Sequence, residues 1–289
     1  MQEIRVDARA KINLGLDVVR RREDGYHEVK MIMQTVALYD TLTMTRLPES
    51  EIQITSNAGD IPLDEHNLIY KTARLMMEQY RIREGIKVHL EKRIPVAAGM
   101  AGGSTDAAAT FKGMNELFQL GATEEELRTL AVKIGADVPY CIMGGTALSE
   151  GIGEILTPLP APPQCYLLIA KPDLYVSTKY VYENLHANEL VHHPDIDGMI
   201  TCIREQDLWK MTALMENVLE NVTVRKYPII EEIKNIMKEQ GAWNALMSGS
   251  GPTVFGIFTS EEEAEKAKAK IKEQEMAKQI FVSAFSNNG

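Results

Sequence analysis

The sequence predicts an α+β fold in two domains, on the basis of three observations. The chain has 289 residues, which is more than one typical domain. Strand-like and helix-like patterns follow one another without the regular β-α-β alternation of a doubly wound sheet. The proline-rich segment 158–163 (PLPAPP) interrupts helix and strand alike, so we expect domains of residues 1–157 and 158–289.

The first domain should begin with a β-hairpin. Between Val6 and Val18 the even positions are apolar and the odd positions mostly polar, a period of two that is typical of a strand with one buried face. Asp24 and Gly25 supply a turn signal, and residues 28–45 resume the β-rich alternation.

The remaining elements follow from helical spacing, caps and breakers. Thr123 and Glu126 form a capping box for a helix that should end at Gly135, and Ser260 with Glu263 should cap a later helix. Further helices are predicted over Ile69–Tyr80, over Ala107–Phe118 and from Ile229 to near Gly241, with strands at residues 86–92, at 165–170, on both sides of Ser248–Pro252 and near 280.

The chain is acidic, with a net charge of −10 and a pI of about 5.2. It contains no basic run or arm, so duplex nucleic acid and anionic membranes are poor partners for it. A local cradle of backbone N–H groups can still bind phosphate without a positive surface. The composition therefore favours a small anionic substrate, and we expect a monomer or a weak homodimer.

Three features predict a cytoplasmic location. No stretch approaches the run of about 20 apolar residues that a membrane span requires. The N-terminus does not show the charged-then-apolar pattern of a secretory leader. Cys141, Cys165 and Cys202 form no C-x-x-C pair and suit a reducing compartment, so we expect core or near-surface thiols without a metal.

The strongest local signal is the glycine-rich segment of residues 95–106, PVAAGMAGGSTD, which runs from a strand into a helix. Gly102 and Gly103 permit backbone angles and a close approach that side chains would forbid, and the helix N-terminus suits a di- or triphosphate. Ser104 and Thr105 can add hydroxyl donors. The alternative is a plain strand-to-helix turn with Ser104 as N-cap, since the segment matches neither the Walker loop nor the dinucleotide-binding motif.

Two charged side chains stand out, although each has an ordinary structural explanation. Lys11 and Asn13 share the polar face of the first strand, about 7 Å apart, where a lysine is usually just solvated. Asp137 lies between Gly135 and Pro139 and could merely cap a turn or short helix.

Three segments together resemble the ordered motifs of the GHMP kinases, a superfamily that includes galactokinase, homoserine kinase and mevalonate kinase. They are Ala10-Lys-Ile-Asn-Leu14, the glycine-rich loop and Met247-Ser-Gly-Ser-Gly-Pro-Thr253, each of which alone would be an ordinary strand, turn or loop. The stretch from Lys11 through Asp-Gly-Tyr-His-Glu28 is similar to the branch that phosphorylates 4-(cytidine 5'-diphospho)-2-C-methyl-D-erythritol in the non-mevalonate isoprenoid pathway.

The resemblance implies a fold, a reaction and a set of site residues. The N-terminal domain would resemble ribosomal protein S5 domain 2, the C-terminal domain would be ferredoxin-like, and the site would lie in the cleft between them. With ATP and Mg²⁺ as cofactors, the enzyme would phosphorylate the 2-hydroxyl of that acceptor. Lys11 and Asp137 would be catalytic, with Asp137 accepting the proton of the hydroxyl. The acceptor would contact Asn13, Tyr26, His27, Thr178 and Tyr182. ATP would contact Pro95, Val96, Ala97, Ala98, Gly99, Met100, Ala101, Gly102, Gly103, Ser104 and Thr105.

Other functions of the same fold compete with this interpretation. The chain could be a GHMP kinase that acts on mevalonate or homoserine, a mevalonate-diphosphate decarboxylase, or a catalytically silent binding protein. Mevalonate and homoserine need no base-stacking platform, so Tyr26, His27 and Tyr182 favour the cytidine acceptor. A silent binder has no use for a proton acceptor such as Asp137. The fold alone does not separate these functions, so the site must.

Overall fold

The computed structural model describes residues 2–287 and contains two sheets with helices packed against them. The strands are β1 (Glu3–Arg21), β2 (His27–Leu47), β3 (Ile52–Ser56), β4 (Gly85–Glu91), β5 (Thr146–Gly151), β6 (Ile155–Leu159), β7 (Tyr166–Lys171), β8 (Asn244–Met247), β9 (Val254–Phe258) and β10 (Gln279–Ala284). The helices are α1 (Leu68–Tyr80), α2 (Gly102–Leu117), α3 (Glu124–Ala131), α4 (Val138–Met143), α5 (Thr178–Glu183), α6 (Ile196–Arg204), α7 (Leu208–Ala213), α8 (Glu220–Lys226), α9 (Ile229–Glu239) and α10 (Glu261–Glu273), with a 3₁₀ turn at Ala187–Glu189. The predicted α+β class is confirmed.

The first sheet is built around the long strand β2. β1 pairs antiparallel with β2 along one edge, and β4 and β5 share the other edge. The order is β3-β4-β2-β5-β6, and β3 with β4 is its parallel pair. The predicted hairpin is therefore confirmed, with Gly25 in the turn at a φ of +88°, a left-handed angle that suits glycine.

β1 is buried on both faces from Ala10 to Val18, so the prediction of one solvated face is wrong for this part of the strand. Lys11 is 5% exposed and Asn13 is fully buried. The polar face lies in a cleft between the two halves of the chain rather than in solvent, because both residues line the cavity described below. Period-two alternation reports which side chains share a face but not what covers that face.

The first sheet extends past the predicted domain boundary. Pro158 lies within β6 and pairs with Ala147 of β5. Since β6 is an edge strand, the missing N–H of proline costs no ladder hydrogen bond there. The chain leaves the sheet only after Leu159, and the prolines that follow carry it across to β7.

The second sheet is antiparallel with the order β10-β7-β9-β8. If its four strands are numbered along the chain, this order is 4-1-3-2. This is the ferredoxin-like arrangement that the motifs implied. Helix α9 packs on it through Ile230, Ile233 and Met237, which are fully buried. The same apolar cluster includes Leu16 of β1, so one continuous core holds both halves beside the cleft.

Two predicted helix caps have different outcomes. At α3 the capping box is confirmed, since the Thr123 hydroxyl accepts from the Glu126 N–H and the Glu126 carboxylate accepts from the Thr123 N–H. The helix ends at Ala131 and continues as turns to Gly135, slightly earlier than predicted. Ser260 is at the N-cap position of α10, but its side chain makes no capping hydrogen bond.

Candidate active site

A cavity of about 840 Å³ lies between the two halves of the chain. It is lined by the polar face of β1, the glycine-rich loop, the start of α4, helix α5 and the loop before β9. Most of the predicted site residues meet there: Lys11, Asn13, Tyr26, His27, Ala97, Ala98, Gly99, Ala101, Gly102, Gly103, Ser104, Asp137, Thr178 and Tyr182. Its volume is near the upper end of the roughly 300–1,000 Å³ of small-molecule sites, so it has room for more than one ligand.

Four residues of the predicted nucleotide segment are not in the cavity wall. They are Pro95, Val96, Met100 and Thr105. Met100 is 1% exposed and packs in the apolar core. The Thr105 hydroxyl donates to the Arg9 carbonyl at 2.5 Å, so its one donor hydrogen is used within the protein.

Lys11 and Asp137 form an ion pair in the cavity wall. The Lys11 ammonium lies 3.6 Å from the Asp137 carboxylate and donates a hydrogen bond to Asn13 Oδ1 at 2.8 Å. The Lys11 side chain is 6% exposed, whereas that of Asp137 is 32% exposed. Asp137 is at the N-cap position of α4, but its side chain makes no capping bond. Its carboxylate is therefore open to the cavity, and a purely structural role as a cap is wrong.

The glycine-rich loop presents an uncapped helix N-terminus to the cavity. Left-handed angles occur at Ala97, Gly99 and Ala101, with φ of +50°, +73° and +56°. Gly102 and Gly103 instead belong to the first turn of α2, so the prediction of unusual angles at these two glycines is wrong. No side chain caps α2 and its first turn has no acidic residue, so its N–H groups and positive end remain available to an anion.

The loop is held by backbone contacts from the other two motifs. The Lys11 N–H donates to the Met100 carbonyl at 3.2 Å, and the Ser248 hydroxyl donates to the Gly99 carbonyl at 2.9 Å. A Cβ at position 99 would lie 2.2 Å from the Ser248 carbonyl oxygen, so only glycine allows this contact. The three segments thus form one unit around the cavity.

An aromatic pair closes the opposite side of the cavity. The rings of His27 and Tyr182 lie 5.1 Å apart and are tilted by 46°. Burial and then the positive charge of Arg21 lower the pKa of His27, which favours its neutral form, and burial raises the pKa of Tyr182. His27 Nε2 is buried without a partner among residues 2–287, so it can hydrogen-bond a ligand. Beside the pair, the hydroxyls of Thr178 and Ser250 lie 2.8 Å apart.

The cavity wall also contains charged residues that the sequence did not single out. Arg21 and Lys179 join Lys11 as cations, against the carboxylates of Asp137 and Glu183. The cavity is therefore more positive than the acidic chain as a whole, as an anionic ligand requires. The three additional residues lie in no sharp motif, and only their folded positions indicate a role.

Asn217 is a further residue that the sequence did not indicate. It is 6% exposed, and its amide donates to the carbonyls of Met247 and Gly249, each at 2.8 Å. Its own oxygen accepts from the Leu219 N–H. The amide NH2 thus holds the third motif in place across about 30 residues of sequence, while the oxygen fixes the side chain locally.

Within the described residues, a group of side chains that could hold a metal ion occurs away from the cavity. The group of three metal-ligating side chains found within 2–287 is Asp64, Glu65 and His66, which are exposed and do not line the cavity. The three cysteines are free. No helix over the same residues is long and apolar enough to cross a membrane.

Comparison with known proteins agrees with this geometry. The family models described as "GHMP kinases N terminal domain" and "GHMP kinases C terminal" match residues 67–145 and 192–277. A 4-diphosphocytidyl-2-C-methyl-D-erythritol kinase of Lachnospira eligens is 55% identical over 283 residues, which cover 98% of each chain. A crystal structure of 4-(cytidine 5'-diphospho)-2C-methyl-D-erythritol kinase superposes with a TM-score of 0.84 at 30% identity, over 99% of this chain and 100% of that one.

A more distant structure shows how far the fold extends. Homoserine kinase from Cytophaga hutchinsonii superposes with a TM-score of 0.81 at 22% identity, over 100% of this chain and 96% of that one. At this identity the likeness concerns the fold and does not bear on the acceptor. The family models and the full-length relatives together establish that this chain belongs to the GHMP kinases, and among them to the family of the 4-diphosphocytidyl-2-C-methyl-D-erythritol kinases.

Proposed function

We propose that this protein transfers the γ-phosphate of ATP to the 2-hydroxyl of 4-(cytidine 5'-diphospho)-2-C-methyl-D-erythritol. The observation that carries the proposal is the meeting, in one cavity, of an uncapped helix N-terminus, the Lys11–Asp137 pair and the His27–Tyr182 aromatic pair. These three features serve the donor, the chemistry and the acceptor base respectively.

The donor side is the glycine-rich loop. The first-turn N–H groups of α2, from Gly102 to Ser104, would hold the phosphates of ATP, and the Ser104 hydroxyl would add a donor. Mg²⁺ typically binds the phosphates of a nucleotide with one or two carboxylates and several waters. The cavity wall contains two carboxylates, Asp137 and Glu183, which is the number that Mg²⁺ needs when ATP supplies its other ligands. The Mg²⁺ would then enter with ATP and neutralise phosphate charge.

The chemistry is assigned to Lys11 and Asp137. Phosphoryl transfer needs little covalent work from a protein, so positioning and charge stabilisation dominate. The open carboxylate of Asp137 would accept the proton of the acceptor hydroxyl. The ammonium of Lys11, fixed by Asn13, would stabilise the negative charge that develops on the oxygen or on the transferring phosphoryl group.

The acceptor side is the aromatic wall. Tyr182 offers a ring face for the cytosine, and the neutral imidazole of His27 has an unpartnered nitrogen for its polar edge. Tyr26 is 61% exposed at the turn and can close over the base. Homoserine and mevalonate lack a base, and such a wall would give them nothing to stack on.

A coupled assay of ADP release tests the proposal. The purified protein is given ATP and Mg²⁺ with the diphosphocytidyl acceptor, with mevalonate or with homoserine. We expect turnover with the first acceptor only, and ³¹P NMR of the product should place the new phosphate on the 2-hydroxyl. Turnover with mevalonate or homoserine at comparable kcat/KM would overturn the assignment.

A further inference from the structure

A buried ionic cluster lies under the glycine-rich loop, outside the chemistry described above. Lys92, just after β4, donates to Asp40 of β2 at 2.5 Å and to Asp106 of α2 at 2.7 Å. The three side chains are 7%, 0% and 6% exposed. The cluster therefore ties strand β2, the end of β4 and the first turns of α2 at one point.

The cluster is poorly explained as a device for stability. Taking a lysine and two carboxyl groups out of water is costly, and apolar residues of similar volume would often serve the fold as well. Asp40 is fully satisfied, since its second oxygen accepts from the N–H groups of Arg93 and Ile94. Asp106 Oδ1, by contrast, is buried without a partner among the described residues. A fold that only needed stability would leave no carboxylate oxygen unpaired at this depth.

The position of the ammonium points to the loop. A Cβ at Gly102 would lie 3.1 Å from Lys92 Nζ and 3.2 Å from Ile94 Cγ2. The first residue of α2 thus rests directly on the tip of Lys92, at the end of the helix whose N–H groups face the cavity. Because Asp40 and Asp106 hold the ammonium from two sides, its position relative to Gly102 is fixed.

We infer that Lys92 is a positioning residue for the nucleotide. Through its hydrogen bonds to Asp40 and Asp106, Lys92 sets the position and direction of the α2 N-terminus relative to the cavity. The inference rests on the proposed ATP-binding role of this loop but not on the identity of the acceptor. Lys92 does not line the cavity and does not itself touch the ligand. Its effect should appear in nucleotide binding and leave the aromatic side of the cavity unchanged.

The test compares Lys92→Met with Lys87→Met, which removes an exposed lysine from β4, the strand that leads to Lys92. Binding of Mg²⁺ with the non-hydrolysable analogue AMP-PNP is measured by calorimetry, and KM is measured for ATP and for the acceptor. We expect Lys92→Met to weaken AMP-PNP binding about tenfold or more, because a displaced α2 N-terminus would lose at least one hydrogen bond to the charged phosphates. KM for ATP should rise in parallel, while KM for the acceptor stays within about twofold, a split that a loss of folded protein would not produce. Lys87→Met should match the wild type.

A second variant keeps the test decisive if Lys92→Met does not fold. Asp106→Asn retains the size of the side chain and one oxygen for Lys92 but replaces the second oxygen by an NH2 group that cannot accept, and it should weaken AMP-PNP binding by a smaller factor. A folded Lys92→Met with wild-type AMP-PNP affinity overturns the inference, as does an unfolded Lys92→Met together with wild-type affinity in Asp106→Asn. Because calorimetry needs no acceptor, failure of the acceptor assay in the wild type would be separate from either result.

Discussion

Replacing Asp137 by asparagine tests the assigned chemistry with little disturbance of the fold. The side chain makes no capping bond, and α4 is continued by the backbone carbonyl of Asp137, which accepts from the Cys141 N–H at 3.0 Å. The Asp137→Asn substitution would keep the size of the side chain and the backbone but would remove the basic oxygen. We therefore expect a folded protein with a defect in kcat.

The size of the defect has two sources. Unit charges at about 4 Å interact by about 4 kcal/mol at an effective dielectric of 20 and by about 1 kcal/mol in water. The Lys11–Asp137 distance is 3.6 Å and a third of the Asp137 side chain is exposed, so the coupling should lie toward the lower figure. A positioned general base contributes about 10²–10⁴-fold in rate, which is about 3–5 kcal/mol of barrier. Loss of the base should therefore exceed loss of the ion pair, and kcat should fall by roughly 10²–10⁴-fold.

The assay is steady-state ADP release with each substrate varied, alongside calorimetry for both. ATP and acceptor affinities should change little in Asp137→Asn. Asp173→Asn is the matched control, since it removes one carboxylate from an exposed pair with Lys278 outside the cavity. Lys11→Ala should also be severe, and the double variant should lose less than the product of the two defects, because both residues act on one proton and one developing charge. Near-normal turnover by Asp137→Asn would refute the base assignment and leave a kinase that works by positioning alone.

Three further predictions concern the acceptor wall, the glycine loop and the pH dependence of stability. Tyr182→Ala should raise KM for the cytidine acceptor with KM for ATP unchanged, since stacking on a base is worth roughly 1–3 kcal/mol. Tyr166→Ala, at an exposed tyrosine, is the control, and an equal rise in KM for ATP would contradict the assignment of Tyr182 to the acceptor wall. Gly103→Val should stay folded, because a Cβ there meets only Leu68 at 3.5 Å, but it should abolish nucleotide binding in calorimetry, because the branched side chain would lie against the cavity. Gly59→Val, where a Cβ would meet open space, is the control. Normal ATP affinity in Gly103→Val would mean that the loop is only a structural turn. Burial raises the pKa of Asp106 to about 8 from 3.8, so between these pH values the folded state keeps a proton that the unfolded chain releases. The free energy of unfolding in urea should therefore fall as pH rises from 4 to 8, and this fall should be smaller in Asp106→Asn. An equal fall in both proteins would show that Asp106 is ionised in the folded protein.

The parts of the fold that could be predicted are those that local chemistry determines. The Thr123 capping box and the hairpin turn at Gly25 depend on contacts within a few residues, and both are confirmed. The loop angles could not be predicted, because left-handed conformations at Ala97 and Ala101 go against the preference of alanine and are imposed by the surrounding structure. The prediction that residues 158–163 interrupt strand structure is wrong at Pro158, because the cost of a proline in a strand depends on whether that strand lies at an edge.

The candidate site was predictable where a motif pointed to it and unpredictable where partners are distant in sequence. Lys92 meets Asp40 across 52 residues, and Asn217 holds Gly249 across 32. Nothing in the sequence around either pair distinguishes these residues from ordinary polar residues at the surface. The buried state of Lys11 was likewise invisible, because a strand that faces a cleft has the same alternation as one that faces solvent.

The contacts between the three motifs explain why they carry information only as a set. The Lys11 N–H donates to the loop at Met100, and the Ser248 hydroxyl donates to it at Gly99, so the proposed phosphate-binding segment is held by strand β1 and by the third motif. Under the proposed function, moving any one of the three segments would misalign the donor phosphate relative to the Lys11–Asp137 pair, and a displacement of about 1 Å can cost about 10²-fold in rate. A lysine on a strand, a glycine-rich turn and a Ser-Gly loop are each common in proteins. Their joint occurrence in this order is informative because the fold brings them into contact around one cavity.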